Sequence, residues 1–147
     1  MPRPDTRVRI AFDLAAGGVG DFFTLDDPTK GELDGTTYKL AGDILEDVTD
    51  DVQSISVRRG RSRELERYQA GAVTVELENS GRKYDPAAGT AITPYGASMR
   101  PRKAITITSD GYPVFAGVVD DWDLTYDLGG GHVASVKSTD GFVFLAN

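Results

Sequence analysis

Apolar side chains along this chain recur mostly at every second position, in short runs closed by Gly, Pro or Asp. That is the period of a strand with one face buried and one face wet. Val8, Ile10 and Phe12 are spaced by two, with Arg9 and Ala11 between them, and open the series. Phe22-Phe23-Thr24-Leu25 reads as a second strand, closed by Asp26-Asp27-Pro28. Residues 29–43 are irregular, and residues 43–51 form an acidic stretch holding Ile44, Leu45 and Val48. In residues 52–57, Ile55 and Val57 alternate with serines. The clearest strand is 72–78, with Val73, Val75 and Leu77 on one face and Thr74, Glu76 and Glu78 on the other. A long loop, 79–102, holds Pro86, Pro94 and Pro101. Residues 104–108 make another strand, and Asp110-Gly111 is a tight-turn signal into residues 112–119. Trp122, Leu124 and Tyr126 continue that alternation, and Gly129-Gly130-Gly131 turns the chain into residues 132–137.

These are about seven strands with turns between them. The expected fold is all-β, a barrel or sandwich with long loops. Seventeen glycines and seven prolines agree with a turn-rich β domain. At the end of the chain Asp140 is placed as a helix N-cap, with Phe142, Leu145 and Ala146 following at helical spacing. This short C-terminal helix start stops at Asn147, too short to hold without docking. The 147 residues are therefore expected to be a single β-rich domain, 1–147, and the N-terminal part of a longer protein.

Composition removes several kinds of chemistry. There is no cysteine, hence no disulfide, thiol nucleophile or thiolate metal site, and a single histidine excludes any site built on several imidazoles. Met1-Pro2-Arg3-Pro4-Asp5 lacks the apolar run of a signal peptide, and no apolar run approaches the roughly 20 residues of a membrane helix. We expect no metal, no cofactor and no membrane insertion.

Net charge is −7, but it is distributed in blocks. Residues 1–57 carry 5 basic and 12 acidic side chains, residues 58–103 carry 10 and 5, and residues 104–147 carry 1 and 6. Such asymmetry fits complementary surfaces, within one fold or between neighbouring copies, and equally fits solvated turns that differ in sign.

Candidate catalytic features have plainer explanations. Gly17-Gly18-Val19-Gly20 lacks the Gly-Lys-Ser/Thr of a phosphate loop and reads as a flexible turn. Asp120, Asp121 and Asp123 flank Trp122; strand alternation sends Asp121 and Asp123 to one face and Asp120 with Trp122 to the other, a solvent-facing acidic strand. His132 has no obvious partner, and no Gly-x-Ser-x-Gly elbow is present. No catalytic residue is assigned. The densest segment is Arg58-Arg59-Gly60-Arg61-Ser62-Arg63-Glu64-Leu65-Glu66-Arg67. Its guanidinium groups suit bidentate pairing with carboxylates of an adjacent subunit or of the acidic blocks. Phosphate contact with nucleic acid is the competing reading, opposed by the overall charge and the scarcity of interleaved aromatics.

The run from Val57 to Gly71, followed by Val73-x-Val75-x-Leu77-x-Asn79 and Arg82-x-Tyr84-Asp85-Pro86, resembles the minor tail proteins of long, flexible-tailed bacteriophages. Tyr95-Gly96, Arg100-Pro101, Phe115-x-Gly117, Asp120-Asp121-Trp122 and Asp140-Gly141-Phe142 extend the resemblance, which covers residues 40–147 and the opening Arg9-Ile10-Ala11-Phe12. The resemblance implies a structural, baseplate hub-like protein of the virion tail tip. Such a protein would form a ring of its own copies, a trimer or alternatively a hexamer, below the tail tube. It would contact other tail-tip and tail-tube proteins and let genomic DNA pass through without specific binding. It would be made in the host cytoplasm. On this reading Arg58, Arg59, Arg61, Arg63, Arg67 and Tyr68 belong to the oligomer interface. Two alternatives stay open. One is a carbohydrate- or receptor-binding module stacking sugars on exposed Trp122, Tyr126 and Tyr95; the other is a glycan-cleaving enzyme using Asp120 or Asp123.

Overall fold

The computed structural model describes residues 4–13, 26, 28, 43–58, 70–88, 95, 99–128 and 131–141. Among them lie seven strands: β1 (Thr6–Asp13), β2 (Asp43–Asp47), β3 (Val52–Arg58), β4 (Ala72–Glu78), β5 (Ala104–Ser109), β6 (Tyr112–Tyr126) and β7 (His132–Asp140). All pair antiparallel in one sheet of order β2-β1-β5-β6-β7-β4-β3. The all-β expectation holds. Its form is a single curled sheet, a half-barrel.

The curl follows from connectivity. β2 and β3 occupy opposite edges of the sheet, yet only residues 48–51 separate them in the chain. Four extended residues reach roughly 14 Å at most, so the sheet must bend until its two edges approach at this corner. A 3-10 turn, Thr49–Asp51, makes the corner. It is fastened to β1: Val48 N donates to Val8 O at 2.9 Å, and Val8 N donates to the Thr49 hydroxyl at 2.9 Å.

The concave face holds the core. Val8, Ile10 and Phe12 meet Val73, Val75 and Leu77 there, with Ile105, Ile107, Phe115, Val119, Ala134 and Val136 between them. These are the inward positions that period-2 alternation selects, and each large side chain withdrawn from water contributes about 1.5–3 kcal/mol. Val48 and Tyr84 fill the space near the corner.

Two bulges bear on the surface. In the β6–β7 ladder Val119 faces Ser138 and Asp121 faces Lys137, leaving Asp120 as an extra residue. An extra residue inverts the alternation beyond it. Phe115 and Val119 point inward before it; Trp122 and Leu124 pack against the core after it. This corrects the expectation that Asp120 and Trp122 share a face. Asp120 is exposed and accepts a hydrogen bond from the Thr139 hydroxyl, while Trp122 is half-buried. The β5–β6 ladder shifts similarly between Ile107 and Thr108.

Asp110-Gly111 forms the expected two-residue hairpin turn, with φ of 49° and 82°, the left-handed values of a type I′ turn. One other expectation changes. The acidic stretch at 43–47 is a strand, β2, because Leu45 and its neighbours pair with β1 from Arg9 to Asp13. Asp140 is the last residue of β7, its carboxylate accepts a hydrogen bond from Gly71 N at 2.8 Å, and the helix expected after it falls on residues beyond Gly141 that lie outside the described residues. The proposed strand at 22–25 also lies outside the described residues.

Candidate functional site

Of the arginine-rich segment, Arg58 is described. It ends β3, pairs with Ala72 and is exposed. Arg59, Arg61, Arg63, Arg67 and Tyr68 lie outside the described residues. The segment is the β3–β4 connection, and both of its ends are fixed. Gly71, where it rejoins the sheet, is clasped by Asp140 through two bonds: the carboxylate accepts from Gly71 N, and Asp140 N donates to Gly71 O at 2.9 Å. A Cβ on Gly71 would stand 2.7 Å from that carboxylate, so a larger residue here would have to push the Asp140 side chain aside.

The convex face of the sheet is acidic on β4 and β6. Register places Thr74, Lys137 and Asp121 in one cross-strand row, and Glu76, Ser135 and Asp123 in the next. With Asp120 and Glu78 this gives five carboxylates on β4 and β6. Among the described residues of β4, β6 and β7, Lys137 is the one Lys or Arg. Lys137 Nζ donates to Asp123 at 2.8 Å, which raises its pKa. Glu78 accepts from Ser80 N at 2.9 Å, and its hydrogen bonds with Ser80 lower its pKa. Asp121 accepts from Trp122 N at 2.9 Å.

β6 is also longer than its neighbour on one side. β5 pairs with it over residues 112–118. Two further bonds follow, Val119 N to Lys103 O at 2.8 Å and Arg102 N to Val119 O at 2.6 Å. Arg102 then takes φ of 66°, which turns the chain away. Among the described residues nothing pairs with residues 120–126 of β6 on that side, while β7 pairs with them on the other.

The aromatic residues cluster at the mouth of the half-barrel. Phe12 lies 4.6 Å from Tyr95 and 6.2 Å from Trp122, and Tyr84 lies 5.9 Å and 6.2 Å from the same two rings. Trp122 and Tyr95 are thus half-buried packing residues, whereas Tyr126 is 50% exposed and leans on His132 at 5.5 Å. The three residues considered for sugar stacking do not share one open face. Tyr84 is fully buried. Its hydroxyl donates to Asp51 at 2.5 Å, Lys83 Nζ donates to the same carboxylate at 2.5 Å, and Lys83 sits over the Tyr84 and Tyr95 rings. Burial, then the bond to Asp51, drives the Tyr84 pKa far up; burial also raises Tyr95.

A second anchor lies beside the β6–β7 turn. Asn79 N donates to His132 O, and the Asn79 side-chain oxygen accepts from Tyr84 N at 2.8 Å. Asp85 is buried and receives the Arg82 guanidinium at 2.7 Å and Ala87 N at 2.7 Å. Burial pushes the Asp85 carboxyl up, but these bonds and one from Tyr126 outweigh it and hold its pKa below the usual value. Sequence reasoning missed both anchors. The signal was present in Asn79 and Asp85, polar residues that bracket Tyr84 inside an otherwise turn-like stretch.

Among the described residues, no group of three or more His, Asp or Glu is placed to hold a metal ion, and no helix is long and apolar enough to cross a membrane.

No protein-family model matches the sequence, and no curated protein matches it. Among solved structures, the fold is similar to the 43 kDa tail protein of prophage MuSo2 from Shewanella oneidensis, with 19% identity and a TM-score of 0.41. The alignment covers 72% of this chain and 28% of that one, so the chain spans little more than a quarter of that protein's length.

Proposed function

We propose that this chain is a structural component of a bacteriophage tail tip or baseplate, and that it acts by assembly and not by catalysis. Its copies form a ring that continues the tail channel and joins the tube to the host-binding and DNA-ejection machinery. A trimer is the favoured order and a hexamer the alternative. The sequence resemblance across residues 40–147 supports the tail-tip placement.

The observation that carries the reading is the division of charge on the folded sheet. The convex face of β4 and β6 carries five carboxylates, whereas the chain's arginines are concentrated in residues 58–67, five in ten. A cyclic ring needs two different patches that fit each other, one on each side of the subunit. Opposite charge on two patches sets partner choice and register between neighbours. Net negative charge also suits a duct through which DNA slides without being gripped.

Reconstruction of intact tails at a resolution that traces strands tests this. Three-fold or six-fold copies of this half-barrel around the tail axis are expected. Finished particles that lack the chain would overturn the proposal.

A further inference from the structure

We infer that the unpaired side of β6, over residues 120–126, seats residues 59–67 of a second copy of this chain, which add there as an extra strand. The inference rests on the ring reading above and names the two surfaces that meet.

Two independent observations meet at this edge. The first is backbone: β6 continues past the end of β5, and among the described residues its N–H and C=O groups facing that side have no partner. An open sheet edge is completed by another extended segment, through main-chain hydrogen bonds. The second is charge. The bulge at Asp120 turns Trp122 and Leu124 inward, so Asp121, Asp123 and Thr125 point outward along this same stretch. An incoming strand is therefore favoured by cations opposite Asp121 and Asp123, the second of which also accepts from Lys137 Nζ. Arg59, Arg61 and Arg63 have that spacing, and in an extended strand they fall on one face. Arginine also matches a carboxylate with two parallel bonds. Opposite charges directly across two strands stabilise the pair.

The same chain cannot supply this strand. Its own segment is tied down at Arg58 on β3 and at Gly71 beside β4. The open side of β6 lies beyond β4 and β7, and adjacent strands are about 4.8 Å apart. Twelve residues anchored at both ends reach out about 20 Å at most before returning. They can touch the near part of β6 but cannot also lie along seven residues of its far side. A second copy has no such tether.

The absence of cysteine makes the test clean. Two full-length single-cysteine variants, Thr125→Cys and Leu65→Cys, are mixed and treated with a short cysteine-specific cross-linker. Heterodimers in the mixture, with far fewer in either variant alone, are expected. Adding Asp121→Arg and Asp123→Arg to the first variant should cut the yield about tenfold or more, because like charges then face each other. Adding Arg61→Asp and Arg63→Asp to the second should restore it. A mixture that does not cross-link overturns the inference, as does reversal without rescue. If the half-barrel is nonetheless found as a ring in tails, the ring reading stands and this pairing alone fails.

Discussion

The Tyr84 hydroxyl and the Asp51 carboxylate meet at 2.5 Å, joining a fully buried loop residue to the corner where β2 becomes β3. The corner brings the sheet's two edges together, so this bond ties the curl of the sheet to the loop that plugs its mouth. Tyr84→Phe keeps the ring and loses the bond. A hydrogen bond to a charged group is worth about 1.5–3 kcal/mol, and a loss of that order is expected in urea unfolding. Tyr84→Ala should cost more, about 3–5 kcal/mol, by opening a cavity. An unchanged midpoint for Tyr84→Phe would show the bond contributes nothing.

Asp85 should give the protein an acid-sensitive component. Its carboxyl is held below the usual 3.8 by Arg82, Ala87 N and Tyr126, against the opposing effect of burial. A depressed folded value means the stabilisation is present above the unfolded value and is lost as pH falls through the folded one. The loss therefore begins below about pH 4. Thermal melts from pH 6 to pH 2 should show a steeper fall for the natural chain than for Asp85→Asn, which is less stable at pH 6. Parallel curves would exclude Asp85 as the source.

Gly117 of β6 lies opposite Asp140 of β7, and an added Cβ there would run into the Thr139 carbonyl and the Phe115 ring. Neither can move without breaking the sheet or the core. Gly117→Ala is expected to destabilise by about 1–3 kcal/mol, the usual cost of overpacking. At Gly81, where nothing lies near, the same substitution should be close to neutral. Calorimetry of the two variants makes the comparison.

Deleting Asp120 should be far more damaging than replacing it. Asp120→Ala removes an exposed side chain and one bond to Thr139. Deletion removes the bulge, and a one-residue slip carries Trp122 and Leu124 to the wet face. Trp122 fluorescence reads this directly: a blue-shifted, native-like emission is expected for Asp120→Ala, and a water-exposed emission for the deletion.

Replacing Arg61 and Arg63 together by Ala should block assembly while leaving a folded monomer. Circular dichroism and sedimentation velocity check the monomer, and electron microscopy of complemented phage checks the tails. Normal tails from the double variant would refute the interface role of the arginines.

Most strands were legible because one face of each is buried and the other wet. Val73, Val75 and Leu77 state this for β4, as Val8, Ile10 and Phe12 do for β1. β2 was not legible: Asp43, Glu46 and Asp47 outnumber the apolar residues, and an edge strand tolerates that. The Asp120 bulge was hidden because a run of three carboxylates around one tryptophan carries no sign of which residue is extra. Tyr84, Asn79 and Asp85 lie in a stretch whose turn-like composition conceals that it packs inside. Their partners Asp51 and His132 are more than thirty residues away, and long-range pairings leave no local periodicity.

The placement of β1 has a consequence for how the protein is made. Thr6 pairs with Ser109 and Ile10 with Ile105, so β1 must wait for β5, which is made about a hundred residues later. Until then β1 and β2 form at most a two-stranded ribbon with an unfilled apolar face, which is marginal in water. Synthesis thus delays commitment to the native topology until most of the chain has emerged. That interval is when nascent chains of this protein are most open to sticking to one another.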